Sequence, residues 1–208
     1  MAVRVLLDAR KYADGGIGVY IQNLLTGLLD LPPYKSGAFR LTLLHKKRDR
    51  EALSKLDVDL VEEDSSGYSL SERFLLPLRH KELFESHSIF HCPHYCLPYF
   101  GITKVGGTKL SIPVVTTVHD IIHFSHPDTL AHRVIGGYLL RSCFRQSKQI
   151  ITVSSYSEKS MRKYFSGSLP PLNIIPNALR SFGDETAPQS SNRDSILFVG
   201  SGRPHKGF

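Results

Sequence analysis

Pro113-Val114-Val115-Thr116-Thr117-Val118 runs straight into His119-Asp120, and this stretch decides the fold class. Its β-branched residues suit a pleated, half-buried strand. A histidine and a carboxylate at the strand's end mark where a polar site begins. Downstream, Leu130, Val134, Tyr138 and Arg141 keep helical spacing from near Asp128. Residues 149–153 (QIITV) then read as another strand, 155–165 as a helix and 172–175 as a last strand. Upstream, residues 3–7 are a strand. Ile17, Tyr20, Ile21, Leu24, Leu25, Leu28 and Leu29 have helical spacing that Pro32-Pro33 ends. Strands follow at 39–44, 58–61 and 88–91, with a helix over 70–84 between the last two. Strands alternating with helices predict an α/β protein built on a doubly wound, mainly parallel sheet.

The bulk properties are those of a soluble globular chain. Of its 208 residues 41% are hydrophobic and 22% charged, enough for a sizeable core. Three cysteines are an odd number and suggest reduced thiols. Residues 3–7 are too short for a signal peptide, and no run approaches the ~20 apolar residues of a membrane span. The cytoplasm is the expected compartment.

The net charge of +7 narrows the partners. Basic residues gather over 45–50, 73–81 and 133–148. They lack interleaved aromatics and any zinc-finger, RRM or KH signature, so no nucleic acid is expected. Phosphorylated small molecules or an anionic membrane surface suit the charge, as does a merely solvated face. Over 70–84, Leu75, Leu76, Leu78, Leu83 and Phe84 stand among Arg73, Arg79, His80 and Lys81. That is the pattern of a basic amphipathic helix on anionic lipid, interrupted by Pro77.

The chain divides into a domain over 1–180, a polar linker over 181–194 and a final piece over 195–208. Ser195-Ile196-Leu197-Phe198-Val199-Gly200 reads as a strand entering the basic, glycine-bearing loop Ser201-Gly202-Arg203-Pro204-His205-Lys206-Gly207. Such a loop presents backbone N–H groups and a lysine to phosphate. One strand cannot stand alone, so 195–208 is expected to open a second domain.

Ligands of doubly wound sheets bind beyond the carboxyl ends of the strands. Four features fall there. Asp8-Ala9-Arg10 leads to Asp14-Gly15-Gly16-Ile17-Gly18, where glycines allow close backbone approach and a helix N-terminus favours an anion; a plain flexible turn is the alternative. His91-Cys92-Pro93-His94-Tyr95-Cys96 invites zinc. Zinc sites usually use two separated ligand pairs, and no second pair has that spacing. A substrate-facing loop is preferred, with inward-packed cysteines as the structural alternative and no metal expected. His119-Asp120 supplies an imidazole that can act as acid or base near neutral pH. Ser154-Ser155-Tyr156-Ser157-Glu158 contains an S-x-x-E capping box on Ser155 and Glu158, and the helix start can hold phosphate through Ser154 or Ser157.

These pieces, in order, resemble glycosyltransferase family 4: DAR…GGIGVY, HCPHY..P, PVVTTVHD, IITVSSYS, IIPN at 174–177 and ILFVGSGRPHKG. The resemblance implies a retaining enzyme of the GT-B fold, with two Rossmann-like domains facing across a cleft. The first binds acceptor and the second most of the nucleotide-sugar donor, which is a substrate; no cofactor is implied. It also implies that Gly15, Gly16 and Gly18 lie near the donor diphosphate and that His119, followed by Asp120, lies near the transferred sugar. Lys206 matches the lysine of the phosphate loop, with Arg203 in the same loop and Ser154 on the donor side. Arg10, His91, His94 and Tyr95 are the expected acceptor-side residues. Ala178-Leu179-Arg180 departs from the family's usual glycine and acidic residue after Asn177. The family's paired glutamates would lie beyond Phe208.

Three readings follow. The first is a truncated sugar transferase acting on a glycan or lipid-linked acceptor, cytoplasmic or peripheral at the inner face of the membrane. The second is a non-catalytic subunit that binds acceptor or membrane and needs a separate donor-domain partner. The third is a zinc- or nucleotide-binding protein of another class.

Overall fold

The computed structural model describes residues 2–65, 69, 71–99, 112–127, 129–167 and 169–178. The chain divides into two units, Met1–Ala178 and Leu179–Phe208. The second unit, with the expected linker, final strand, Arg203 and Lys206, lies outside the described residues.

Seven strands form one sheet: β1 (Val3–Asp8), β2 (Phe39–His45), β3 (Asp59–Glu62), β4 (Ile89–Cys92), β5 (Val114–Val118), β6 (Gln149–Thr152) and β7 (Leu172–Ile174). Their order is β3-β2-β1-β4-β5-β6-β7, and every neighbouring pair is parallel. The winding reverses between β1 and β4. A crevice opens at such a switch point because the connections leave in opposite directions on opposite faces. This is the doubly wound, Rossmann-like arrangement that the alternating pattern predicts.

The strands feed two cores because successive side chains point to opposite faces. On one face Leu7, Leu41 and Leu43 meet α1 (Gly15–Asp30), α2 (Pro32–Lys35) and α3 (Arg50–Leu53) through Ile21, Leu25, Tyr34 and Leu53. On the other, Leu6, Leu44, Phe90, Val114, Val118 and Ile150 meet α4 (Leu76–Arg79), α5 (Lys81–Glu85), α7 (Leu130–Gln146) and α8 (Ser155–Phe165) through Leu76, Phe84, Leu140, Phe144, Met161 and Phe165. The short helix α6 (Ile122–Ser125) lies between β5 and α7. Pro32 and Pro33 do double service. They stop α1, and they start α2 at positions where a missing N–H costs no hydrogen bond.

Two local readings are corrected. The single amphipathic helix expected over 70–84 does not form. A π-helical turn (Ser71–Leu75) leads into α4, His80 breaks the chain, and α5 follows; Leu70 itself lies outside the described residues. Pro77 stands in the first turn of α4, where it is tolerated. Arg73 turns inward, while Arg79 stays exposed and Lys81 pairs with Glu85. Arg73 Nη2 donates to Ser142 Oγ at 2.8 Å, and its guanidinium lies 5.1 Å from the Tyr138 ring centroid. Arg79 and His80 both reach Glu63, at 3.0 and 2.8 Å.

The second correction concerns α8. Its N-cap is Ser154, whose Oγ accepts from Ser157 N at 3.1 Å, so the expected capping box on Ser155 is shifted by one residue. Similarly α7 is capped by Thr129, whose hydroxyl accepts from His132 N at 3.2 Å. Among the described residues no helix is long and apolar enough to cross a membrane.

Candidate active site

His119 follows β5 directly and is held from three sides. Its Nε2 lies 3.1 Å from the carbonyl oxygen of Pro93, in the segment after β4. A carbonyl oxygen only accepts, so Nε2 carries the proton and Nδ1 keeps the lone pair in the neutral ring. Tyr20 of α1 meets the imidazole edge-on, with ring centroids 4.8 Å apart. Ser157 of α8 donates its hydroxyl to the His119 carbonyl at 2.8 Å. Burial pushes the His119 pKa down, against the pull of the Pro93 carbonyl and of Asp120. The ring is therefore neutral at physiological pH. Asp120 is exposed, and its Oδ1 accepts from Ile122 N at 3.0 Å, turning the chain into α6.

A second layer supports that arrangement. His91 Nε2 and the Tyr20 hydroxyl both lie 3.0 Å from Thr117 Oγ1. His91 is buried, and burial lowers its pKa to about 4, helped by the neighbouring His119. It is a neutral strut beneath the site. Sequence reasoning missed Tyr20, Thr117 and Pro93 as site residues. Tyr20 was hidden in a helical run of leucines and isoleucines. A phenol on that otherwise aliphatic face was the signal that could have found it.

Arg10 lies almost wholly inside the protein, 3% exposed, between two carboxylates. Its Nε and Nη2 donate to the two oxygens of Asp8 at 2.9 and 2.6 Å, Nη2 also reaches Glu72 Oε1 at 2.7 Å, and Nη1 reaches Ser65 Oγ at 3.1 Å. Burial alone would raise the Asp8 pKa, yet the guanidinium beside it holds the carboxyl well below the usual carboxylate range. This cluster sits at the switch point between β1 and β4.

A group of possible metal ligands lies at the same place. Asp8, Cys92 and His94 bring ligand atoms within 4.8 Å of one another, and all three are buried. The Arg10 guanidinium takes both Asp8 oxygens. Burial pushes the Cys92 thiol well above its ordinary pKa, so it is a thiol, and it donates to the His94 carbonyl at 3.2 Å. His94 Nε2 lies 3.5 Å from Asp8 Oδ2. Tyr95 is half-buried and packs against the larger core.

The glycines open α1 itself rather than forming a loop ahead of it. Gly15 has φ +50°, in the left-handed region that favours glycine. A side chain at Gly15 or Gly16 would meet nothing within 4 Å, whereas a Cβ at Gly18 would lie 2.4 Å from the Tyr12 carbonyl oxygen. Gly18 thus serves internal packing, and the open backbone is at Gly15 and Gly16. Beside them a cavity of about 370 Å³ is lined by Gly16, Val19, Tyr20, Asn23 and the segment 175–178, which includes Asn177. Asn23 Nδ2 donates to the Ala178 carbonyl at 3.1 Å and ties that segment to α1. Of the other expected site residues, Ser154 uses its hydroxyl as the cap of α8.

The site therefore combines a neutral, oriented imidazole, exposed backbone at a helix N-terminus and a groove lined by Gly16 and by Tyr20, the residue that packs on His119. A model of the family described as Glycosyltransferase Family 4 matches residues 14–180, most of the chain. Over 128 residues the chain is 26% identical to the O-antigen chain mannosyltransferase RfbU of Salmonella typhimurium. That alignment covers 57% of this chain and 36% of the relative, so the chain spans little more than a third of the relative's length.

Proposed function

Because this chain belongs to glycosyltransferase family 4, we propose that it forms the acceptor side of a retaining hexosyltransferase. The enzyme moves a sugar from a nucleotide-sugar donor to a glycan or lipid-linked acceptor in the cytoplasm. The observation that carries the reading is the fixed, neutral imidazole of His119 at the end of β5.

With Nε2 engaged by Pro93, Nδ1 is available to accept a hydrogen bond from a hydroxyl of the transferred sugar. Asp120 sets the turn that leaves His119 at the strand's end. The first turn of α1 has open space where side chains at Gly15 and Gly16 would stand, and a helix N-terminus suits the donor's diphosphate, whose charge grows as the bond to the sugar breaks. The acceptor oxygen bonds to the anomeric carbon on the face the diphosphate leaves, and the acceptor's proton passes to a departing phosphate oxygen. No protein nucleophile is needed, so positioning and charge stabilisation carry the rate. Arg203, Lys206 and Ser154 are donor-side residues by the family resemblance. The segment bearing His91, His94 and Tyr95 walls the acceptor, and Arg10 holds that wall through Asp8. A partner polypeptide or a further domain supplies the rest of the donor site.

The test is transfer from a panel of labelled nucleotide sugars by the 208-residue chain, alone and extended through a family donor domain. Transfer is expected in the extended form, with turnover falling about a hundredfold or more in His119→Ala while thermal unfolding is unchanged. Undiminished turnover in that variant removes His119 from the mechanism. Transfer by the short chain alone shows that these residues hold the whole donor site. Transfer only on mixing with a separate donor-domain protein favours the subunit reading.

A further inference from the structure

The outer face of α7 is largely exposed, although the Tyr138 ring meets the Arg73 guanidinium at 5.1 Å. Leu130, Val134 and Tyr138 are 77%, 64% and 58% exposed, and Ile135 beside them is 56% exposed. Arg141 and Arg145 continue the same stripe, since positions i, i+4, i+8, i+11 and i+15 share one helical face. The helix is thus apolar over its first half and basic over its second.

Its surroundings carry one sign of charge. α7 and α8 present Arg133, Arg141, Arg145, Lys159, Arg162 and Lys163 against a single acid, Glu158, which is paired with Arg162 at 2.9 Å. Among the described residues no ion pair involves Arg133, Arg141, Arg145, Lys159 or Lys163. Arg133 and Arg141 instead lie over the rings of Phe124 and Phe165, at 5.5 and 5.3 Å. Those contacts seat the guanidinium heads on ring faces while leaving both residues exposed.

We infer that this face of α7, with the basic surface of α8, rests on an anionic lipid membrane. Exposed aliphatic side chains flanked by an excess of cations fit the boundary between acyl chains and anionic headgroups, with Tyr138 at its interface. Charge argues against a second copy of this chain, because self-docking would press the arginines of each face onto their like. Position adds to the case. A helix that connects two parallel strands begins at their carboxyl ends, so the apolar half of α7 lies at the same end of the sheet as His119. Tyr156, in the first turn of α8 and 74% exposed, lies at that end too. This contact is distinct from the one the sequence suggested over 70–84, where the expected single helix does not form.

Vesicle flotation tests the inference with no sugar present, so its failure and the failure of the transfer reading are separate results. The 208-residue chain is mixed with phosphatidylglycerol–phosphatidylcholine vesicles and with pure phosphatidylcholine vesicles at two salt concentrations. Binding to the anionic vesicles alone, weakened by salt, is expected. Arg141→Gln and Arg145→Gln should each weaken it about fivefold, and Val134→Ser with Ile135→Ser about tenfold or more. Circular dichroism shows whether each variant stays folded. Absence of binding to anionic vesicles overturns the inference, as does binding that all these exposed-face variants leave unchanged. Concentration-dependent dimerisation abolished by the Val134 and Ile135 variants would also overturn it, by giving the face to a protein contact.

Discussion

His119 and Pro93 are joined by one hydrogen bond of 3.1 Å, from an imidazole nitrogen to a backbone carbonyl. It links the segment after β4 to the segment after β5, side by side in the sheet. Because a carbonyl cannot donate, the bond also selects a tautomer and leaves Nδ1 as the nitrogen with chemistry to offer. Behind Pro93, Cys92 donates to the His94 carbonyl, and His94 faces Asp8. The orientation of His119 therefore depends on a buried cluster it does not touch.

The buried histidines make stability fall on mild acidification. His91 titrates near 6.5 when unfolded and at about 4 when folded. Between those values the unfolded chain binds the extra proton, so stability is full above about pH 6.5 and is lost as the pH falls towards 4. His87 and His119 are shifted in the same direction. The His91 share is roughly 3 kcal/mol. Urea midpoints measured from pH 7 to 4.5 should drop, and His91→Asn should flatten the decline. A variant as pH-sensitive as the parent would discard this assignment.

Arg10 is predicted to matter for folding before it matters for acceptor affinity. Replacing it with Met leaves Asp8 and Glu72 buried without their shared cation, a change that costs about 3–5 kcal/mol. Lysine should rescue only part, because it cannot reproduce the bidentate fork. Denaturant unfolding reads this directly. A stability loss below about 1 kcal/mol, combined with a raised acceptor KM in an active form, would instead make Arg10 a substrate contact.

Gly18 and Gly16 should separate cleanly. Gly18→Ala drives a methyl into the Tyr12 carbonyl, 2.4 Å away, and should destabilise by about 1–3 kcal/mol. Gly16→Ala meets nothing within 4 Å and should leave stability unchanged or slightly raised. If Gly16 lies against the donor diphosphate, that variant will lose transfer while keeping its melting temperature. Equal melting temperatures for the two variants would contradict the packing described for Gly18.

The cap of α8 offers a one-residue test. Ser154→Ala removes the hydroxyl that accepts from Ser157 N, and should cost about 1 kcal/mol. Ser155→Ala, already inside the helix, should be close to neutral. Thermal unfolding that reverses this order would restore the cap to Ser155. Ser154→Ala should also perturb His119, because Ser154 and Ser157 hydroxyls are 3.1 Å apart and Ser157 holds the His119 carbonyl.

Much of this was legible from residue order. Alternation, periodicity and proline placement are local properties, and they marked all seven strands, the long helices α1, α7 and α8, and the parallel sheet. The location of His119 followed too, since a polar pair after a buried strand falls at the strand's carboxyl end whatever the rest of the chain does. Tertiary structure alone decided what the polar side chains face. Arg10 meets Glu72 across 62 residues, His119 meets Pro93 across 26 and Ser157 across 38. The basic residues of 73–80 looked solvent-bound because leucines and arginines alternate there, yet Arg73 meets Ser142, and Arg79 and His80 meet Glu63. A charge or a tautomer is fixed by its partner through space, and spacing along the chain carries no record of that partner.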